Sequence, residues 1–285
     1  KEVMRYAQAL RQGFQEIKKN KLITNKNILQ IQQTLEQNDA GYRKNSGTVL
    51  KNAHTGEIVY TPPQIHTEIE LLMGNLVQFI NDETLSDLDP LVKMAIIHHR
   101  FETIHPFYDG NGRTGRIINI LYLVKEDLLS LPILYLSRYI IQYKDDYYRL
   151  LQQVRMDGNW EPWLLFILKG VEETAKQTLH LIDGIKNLMQ DYKQRIRTQL
   201  PKTYSQDLLN NLFKHPYTKI EFLENDLNIN RKTAAKHLNT LADAGFLHKM
   251  KIGKSNFYMN KPLYKLFLDG VPPAQAFDLV KTITE

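Results

Sequence analysis

The sequence predicts two units, a mainly α-helical first unit with a short β-hairpin and a smaller C-terminal unit that mixes helices and strands. The 285 residues exceed the usual length of one compact domain. Apolar residues recur at helical spacing through much of the first 180 residues, whereas after Pro201 short helical segments end in two extended runs. We therefore expect a first domain over residues 1–180, a linking helix over 171–200 and a second domain over 201–285.

The composition excludes several classes of protein. Apolar residues make up 42% and charged residues 24% of the chain, which are globular averages and argue against a largely disordered protein. The absence of cysteine excludes disulfide scaffolds, cysteine nucleophiles and Cys-ligated zinc. The longest uncharged runs reach about half of the ~20 residues that a membrane-spanning helix needs. We expect a cytoplasmic protein with no membrane partner. Because the chain starts at Lys1 rather than Met, we also expect that a preceding segment is missing.

The elements of the first unit follow from periodicity and from turn residues. Residues 1–36 are predicted to be helical, and residues 48–50 and 58–60 to form a hairpin around a turn at 54–56. Asp89 followed by Pro90 is typical of a helix N-cap and first turn. The further predicted helices cover residues 65–81, 90–104, 112–126, 137–156 and 160–180.

The linking segment has no proline between residues 171 and 200. It carries apolar residues at alternating spacings of three and four, as in a coiled-coil seam: Ile182, Ile185, Met189, Tyr192 and Ile196. Two interpretations stay open, packing on the helix's own domain, which we favour, and a homodimer seam.

Residues 105–116 concentrate the chemistry of the chain and read His-Pro-Phe-Tyr-Asp-Gly-Asn-Gly-Arg-Thr-Gly-Arg. Gly110, Gly112 and Gly115 satisfy the dinucleotide-binding fingerprint, but that fingerprint must follow a strand and here follows a helix. The spacing of a P-loop is also present, but Arg116-Ile117 replaces its Lys-Ser/Thr pair. Both of these motifs are therefore excluded.

The same residues favour the binding of phosphates. Glycines allow close approach of backbone N–H groups, and the N-terminus of the following helix adds partial positive charge. Arg113 and Arg116 share a helix face and can clamp phosphate oxygens. Asp109 is a hard oxygen ligand for Mg²⁺, and His105 is a candidate general base because the unperturbed pKa of histidine lies near physiological pH.

This segment resembles the signature of the Fic family, commonly His-x-Phe-x-Asp/Glu-Gly-Asn-Gly-Arg-x-x-Arg, at every fixed position. The resemblance extends through residues 41–63, the family's flap, and through 134–163, and covers roughly residues 1–180. It implies a Fic-type helical bundle that transfers AMP from ATP, with Mg²⁺, to a Tyr, Thr or Ser hydroxyl of a target protein. Removal of AMP, or transfer of another phosphate-containing group, is the alternative within the family.

The resemblance also implies roles for individual residues. His105 would deprotonate the target hydroxyl, Phe107 would anchor the loop and Asp109 would hold Mg²⁺. The implied nucleotide-binding residues are Gly110, Asn111, Gly112, Arg113, Thr114, Gly115 and Arg116, with Tyr143, Tyr147 and Tyr148 as adenine contacts. The tyrosines could equally be core residues. The flap residues Ile58, Val59 and Tyr60 would pair with a target segment, or form a purely structural hairpin.

One feature of many Fic proteins is missing from the sequence. Their inhibitory helix carries Ser/Thr-x-x-x-Glu-Gly/Asn, and its Glu pairs with the second motif arginine. No Glu of this chain has Ser or Thr four positions before it. We expect that helix to lie upstream of Lys1, which would leave Arg116 without its inhibitory partner.

The C-terminal unit holds most of the excess positive charge, with ten Lys and Arg against five Asp and Glu between Pro201 and Pro262. Three short helices, over 208–213, 218–226 and 231–244, precede the two extended runs and resemble a winged helix. That resemblance implies DNA contacts from Arg231, Lys232 and Lys236. Protein docking or dimerisation is the alternative, and a DNA-binding regulator with the Fic fold as a sensor is the alternative function for the whole chain.

Overall fold

The computed structural model describes residues 2–52 and 55–269. It divides into two compact units, Lys1–Ala175 and Lys176–Glu285. None of the helices in these described ranges is long and apolar enough to cross a membrane.

The N-terminal unit begins with two helices where the sequence predicted one. Helix α1 covers Glu2–Asn20 and α2 covers Asn25–Glu36. The first helix ends before Lys21, whose φ is 55°, and the second begins with a capping box. In that box Asn27 N donates to Thr24 Oγ1 at 3.2 Å, and Thr24 N donates to Asn27 Oδ1 at 2.9 Å.

The predicted hairpin is present but short. Strand β1, Leu50–Lys51, pairs in antiparallel orientation with β2, Ile58–Tyr60, and the register is irregular within β1. Ile58 and Val59 are exposed at 59% and 44%. His54, which we expected in the turn, lies outside the described residues.

Three helices build the centre of the unit. They are α3, His66–Asn81; α4, Pro90–Ile104; and α5, Asn111–Lys125, with a 3₁₀ turn at Glu83–Leu85 after α3. The predicted N-cap of α4 is confirmed, since Asp89 Oδ1 accepts a hydrogen bond from Leu91 N at 2.8 Å. The core that joins these helices includes the fully buried side chains of Phe101, Phe107, Ile117 and Leu121.

The predicted helix over 137–156 is two helices, α6, Leu136–Gln142, and α7, Lys144–Asp157. They are separated at Tyr143, whose φ and ψ of −113° and 44° are not helical. The next helix, α8, spans Trp160–Gln199 and begins in the N-terminal unit. It ends before Pro201, as the sequence predicted.

The C-terminal unit follows the predicted order of three helices and two strands. The elements are α9, Gln206–Lys214; α10, Ile220–Leu227; α11, Arg231–Asp243; β4, His248–Ile252; and β5, Ser255–Met259. Two further elements, β3, Tyr217–Thr218, and α12, Lys261–Asp269, were not anticipated. The antiparallel sheet has the order β3-β5-β4.

Two of the five seam residues of the linking segment are buried inside the C-terminal unit. Tyr192 and Ile196 are buried in that unit's core, and Tyr192 Oη donates to Phe246 O at 2.8 Å. Ile182, near the other end of the seam, is exposed. The structure thus supports the interpretation in which this helix packs on its own domain.

Candidate active site

His105 lies at the C-terminal end of α4, where the chain turns into the motif loop. It adopts a left-handed conformation with φ of 48°, which a non-glycine residue keeps only when its surroundings hold it. The buried Arg43 provides that hold, because its Nε donates to His105 O at 2.8 Å and its backbone N donates to Pro106 O at 2.8 Å. The imidazole is therefore presented from a fixed turn.

The imidazole of His105 is partly buried, and its environment disfavours the protonated form. Burial, and after it the nearby positive charges of Arg43 and Arg155, lower its pKa to about 4. At neutral pH the ring is uncharged and able to accept a proton.

The loop after His105 is braced from inside. Phe107 is fully buried, as the sequence predicted. Asn111 Oδ1 accepts from Phe107 N at 2.9 Å, and Asn111 Nδ2 donates to Phe107 O at 2.8 Å. The Asn111 side chain, which the resemblance places among the nucleotide-binding residues, is buried and bonded to both backbone groups of Phe107, while its backbone N–H lies in the first turn of α5.

The N-terminus of α5 opens toward this loop. Gly110 precedes the helix with φ of 81°, a conformation that favours glycine. The first-turn amides, at Asn111, Gly112 and Arg113, have no acceptor within the helix and are available to an anion. Asp109 Oδ1 accepts from Gly110 N at 2.6 Å, so that amide is already occupied.

Two of the expected nucleotide contacts face the protein interior instead. Thr114 is fully buried, and its backbone N donates to Gly110 O at 2.9 Å. A Cβ atom at Gly115 would lie 2.9 Å from Glu102 Oε1 and 3.0 Å from the Phe101 ring. The structure therefore places Gly115 against α4, where its small size matters, and buries Thr114, whose Oγ1 has no hydrogen-bond partner among the described residues.

The two motif arginines have different partners. Arg113 is held by acidic side chains, with Nη1 2.6 Å from Glu2 Oε1, Nη2 2.8 Å from Glu36 Oε1 and Nη2 3.7 Å from Asp109 Oδ1. Arg116 folds back over the helix start, and its Nη1 lies 3.1 Å from the position of a Cβ atom at Gly112. Its Nε has no hydrogen-bond partner among the described residues.

Glu36 is a residue that the sequence analysis missed. It ends α2, and a Cβ atom at Gly110 would lie 2.5 Å from its Oε1. Burial raises its pKa, although the charge of Arg113 opposes that shift. Glu36 does not fit the inhibitory pattern of the Fic family, because the residue four positions before it is Gln32 rather than Ser or Thr.

Glu102 is a second residue without a sequence signal. It is buried on α4, and its Oε1 has no hydrogen-bond partner in the part of the chain that the structure describes. Burial raises its pKa to about 7, against the opposing charges of Arg116 and Arg155. The carboxyl lies beneath the start of α5, beside Gly115.

Asp109 has the side-chain chemistry that the predicted metal ligand requires. Its side chain is 79% exposed at the open side of the loop, and carboxylate oxygens are ligands that Mg²⁺ prefers. The described residues contain no cluster of three or more acidic or histidine ligands. A single carboxylate nonetheless suits Mg²⁺ bound mainly by phosphates and water.

The three candidate adenine-binding tyrosines are not equivalent. Tyr147 is buried, and its Oη is 2.9 Å from Nε2 of His98, so the ring belongs to the core. Tyr148 is 56% exposed and Tyr143 is 36% exposed, with Tyr143 packed against Tyr139. Of the three rings, Tyr148 presents the largest free face.

The flap is tied to its surroundings at its second strand. Gln152 Nε2 donates to Val59 O at 3.1 Å, and Tyr60 Oη donates to Thr103 O at 3.1 Å. The exposed side chains of Ile58 and Val59 leave this strand accessible.

The predicted basic residues of the C-terminal unit lie on the surface. Arg231, Lys232 and Lys236 are exposed on α11, and Arg231 Nη1 is 3.6 Å from Glu224 Oε2. On the adjacent strand, Lys249 Nζ donates to Asn239 Oδ1 at 2.9 Å.

Comparisons with known proteins agree with these features. Residues 22–123 match the sequence model of the Fic/DOC family, and residues 188–263 match that of "Protein adenylyltransferase SoFic-like, C-terminal domain". Protein adenylyltransferase fic-1 of Caenorhabditis elegans is 28% identical over 120 residues, which are 41% of this chain and 22% of that protein. Protein adenylyltransferase Fic of Drosophila erecta is 31% identical over 107 residues, 38% of this chain and 20% of that protein.

The chain thus matches only about a fifth of the length of these curated relatives. Among solved structures, a Fic family protein from Desulfovibrio desulfuricans G20 superposes with a TM-score of 0.50 at 20% identity. That match covers 83% of this chain and 68% of the other, and it concerns the fold alone. Residues 22–123, which include the complete motif at residues 105–116, thus match the Fic/DOC family, and the remainder of the chain lies outside that match.

Proposed function

We propose that the chain is a protein adenylyltransferase, which transfers AMP from ATP to a Tyr, Thr or Ser hydroxyl of a protein. The observation that carries this proposal is the placement of a neutral imidazole, His105, beside a helix N-terminus that is flanked by Arg113 and Arg116. The names of the curated relatives, which are protein adenylyltransferases, support the same reaction.

The transfer step would use His105 as the base. The target hydroxyl oxygen bonds to the α-phosphorus, and the bond from that phosphorus to the bridging oxygen of pyrophosphate breaks. The hydroxyl proton passes to the imidazole. Bound phosphates would raise the pKa of the imidazole from its low value, because their negative charge stabilises the imidazolium that forms.

The charge of the triphosphate would be met by the amides at the start of α5 and by the two arginines. The amides and the helix dipole suit the α-phosphate, and the guanidinium groups suit the β- and γ-phosphates. Arg113 must give up its ion pair with Glu36, at least in part, to bind phosphate, because the carboxylate and the phosphate compete for the same guanidinium N–H groups. Such fixed positive charge provides most of the catalysis in phosphoryl-type transfer.

We include Mg²⁺ in the proposal, with Asp109 as its protein ligand. When bound, the ion would neutralise phosphate charge and orient the leaving pyrophosphate. The contribution of this chain would be to keep an exposed carboxylate at the mouth of the loop, where Gly110 N orients Oδ1.

A lysate incubated with α-labelled ATP, Mg²⁺ and this chain tests the function. We expect acid-stable label on one or a few proteins, and mass spectrometry should locate AMP on hydroxyl side chains. The His105→Ala variant is the control and should give at least about 100-fold less label. If the wild-type chain removed AMP from labelled proteins and added none, the alternative reaction of the same site would replace this proposal.

A second proposed activity concerns the C-terminal unit, which would contact DNA through α11. The exposed side chains of Lys232 and Lys236 lie four residues apart and so on one helix face, next to Arg231. Phosphate contacts of this kind give an affinity that falls with salt. Measurement of duplex binding over a series of salt concentrations tests this activity separately from AMP transfer.

A further inference from the structure

Arg155 of α7 lies outside the motif but contacts the end of α4. Its Nη2 donates to Glu102 O at 3.0 Å, and its Nε donates to Thr103 Oγ1 at 3.1 Å. Both acceptors belong to the last turn of α4, immediately before His105. A guanidinium has a rigid, planar set of donors, so two such bonds fix its plane as well as its position.

The same guanidinium also contacts the flap. Its central carbon lies 3.9 Å from the centre of the Tyr60 ring, where a cation is attracted to the ring face. Gln152, on the same helix, donates to Val59 O at 3.1 Å. Helix α7 therefore holds two consecutive residues of strand β2, and Arg155 connects that strand to the end of α4.

The flap needs such contacts because it has little stability of its own. Its two strands have two and three residues, and isolated two-stranded hairpins are marginal in water. Ile58 and Val59 are exposed, so their burial contributes little. The flap's position over the protein therefore depends on the side chains that touch Val59 and Tyr60.

We propose that Arg155 is a positioning residue that fixes strand β2 relative to the end of α4, and thereby sets the distance between a target segment paired with β2 and the imidazole of His105. This inference rests on the proposed function. His105 keeps an independent hold through Arg43, whose Nε donates to its carbonyl oxygen at 2.8 Å. Loss of Arg155 should therefore slow AMP transfer to a protein much more than it slows hydrolysis of ATP to free AMP.

The first test compares two acceptors of AMP in one reaction, the hydroxyl of a target protein and water. Wild-type chain, Arg155→Ala, Arg155→Lys and Arg149→Ala are incubated with α-labelled ATP, Mg²⁺ and lysate protein, and both labelled protein and free AMP are measured. Arg149 is the matched control because it lies on the same helix, is largely exposed and pairs with Asp146. A small misplacement of a reacting group costs up to about 100-fold in rate.

For Arg155→Ala we expect the ratio of labelled protein to free AMP to fall about tenfold or more. Arg155→Lys, which keeps the cation over Tyr60 but loses the planar fork, should recover part of that ratio. Arg149→Ala should match the wild type. Two results for Arg155→Ala would overturn the proposal. Wild-type amounts of both labelled protein and free AMP would mean that Arg155 has no role in transfer. An equal fall in both products would mean that Arg155 acts on His105 rather than on the flap.

A second measurement does not need any activity. Hydrogen exchange of the full chain should become faster at the amides of residues 57–61 in Arg155→Ala, and stay unchanged at residues 113–121. Unchanged exchange in the flap would overturn the proposal even if labelling fell. If the wild type yields neither labelled protein nor AMP, the proposed function fails, while the exchange data still decide whether Arg155 holds the flap.

The pair of Arg155 and Tyr60 can be tested for direct coupling. If Arg155 acts through the Tyr60 ring, Tyr60→Leu should accelerate flap exchange, and the double variant should exchange little faster than either single variant. Fully additive effects of the two substitutions would contradict the proposed contact.

Discussion

The motif loop and the basic face of α11 both gather positive charge, but they are built differently. In the motif loop, buried side chains fix the backbone by hydrogen bonds. Arg43 donates to the carbonyl oxygen of His105, and Asn111 bonds to both backbone groups of Phe107. On α11, the side chains of Lys232 and Lys236 are exposed. Fixed groups are suited to stabilise a transition state, whereas exposed ones suit a sequence-independent polyanion. We therefore expect substitutions in the first region to have large, specific effects and those in the second to have small, salt-dependent ones.

The largest effect is expected from His105→Ala. General-base catalysis contributes about 10²–10⁴-fold, so AMP transfer should fall by that factor. Affinity for ATP should change little, because the phosphates are bound by other groups. Initial rates of label transfer and equilibrium binding of ATP measure the two quantities. A variant that transfers AMP at the wild-type rate would remove His105 from the mechanism.

Glu102→Gln should change how the stability of the N-terminal unit depends on pH. The pKa of Glu102 is raised to about 7 by burial, so the folded state favours the neutral carboxyl. Its contribution to the free energy of unfolding is full below the ordinary value of 4.5 and is lost as the pH rises through about 7. In the variant, the free energy of unfolding should not show this fall between pH 4.5 and about 7, which in the wild type is on the order of 3 kcal/mol.

Tryptophan fluorescence during denaturation measures this prediction in the relevant unit. Both tryptophans of the chain, Trp160 and Trp163, pack against His99 of α4. The control is Glu161→Gln, at an exposed position in the first turn of α8, where loss of the charge should change stability by at most about 1 kcal/mol. Parallel pH profiles for the wild type and Glu102→Gln would contradict the assigned cause.

Glu36→Gln should tighten the binding of ATP. The carboxylate of Glu36 holds Arg113 and adds negative charge beside Gly110, and both effects oppose a phosphate. Loss of one such competing pair should lower the dissociation constant roughly threefold to tenfold. Calorimetric titration measures it, with Glu16→Gln, an exposed position on α1, as control. Weaker binding by Glu36→Gln would instead mean that Glu36 orients Arg113 for the nucleotide.

The smallest effect is expected on α11. Joint replacement of Lys232 and Lys236 by Ala should reduce the slope of log affinity for duplex DNA against log salt by about 2. Lys202→Ala, exposed but outside α11, is the control. A slope that stays the same would leave these lysines as solvated surface charges.

Local patterns predicted most of the helices and the motif, because capping residues and apolar spacing act over a few positions. The Asp89 cap and the start of α5 are examples. The break between α1 and α2 also had a local signal, the Thr24–Asn27 capping box, which helical spacing obscured. The irregular register of strand β1 and the non-helical conformation of Tyr143, which divides residues 137–156, carry no such local signal.

The residues that hold the site were not predictable in the same way. Glu36, Arg43 and Arg155 reach the motif from positions far away in the sequence, and each acts by a contact that exists only in the folded chain. The buried carboxyl of Glu102 likewise acquires its shifted pKa from packing. The motif thus indicated which groups could do chemistry, and the fold shows which other groups position them.

Transfer from ATP labelled at one phosphate at a time tests the central claim most directly. In the presence of Mg²⁺, label at the α-phosphate should become acid-stable on protein, label at the γ-phosphate should leave as pyrophosphate, and His105→Ala should abolish the first signal. Protein labelled from the γ-phosphate, or from neither position with fully folded chain, would contradict the account.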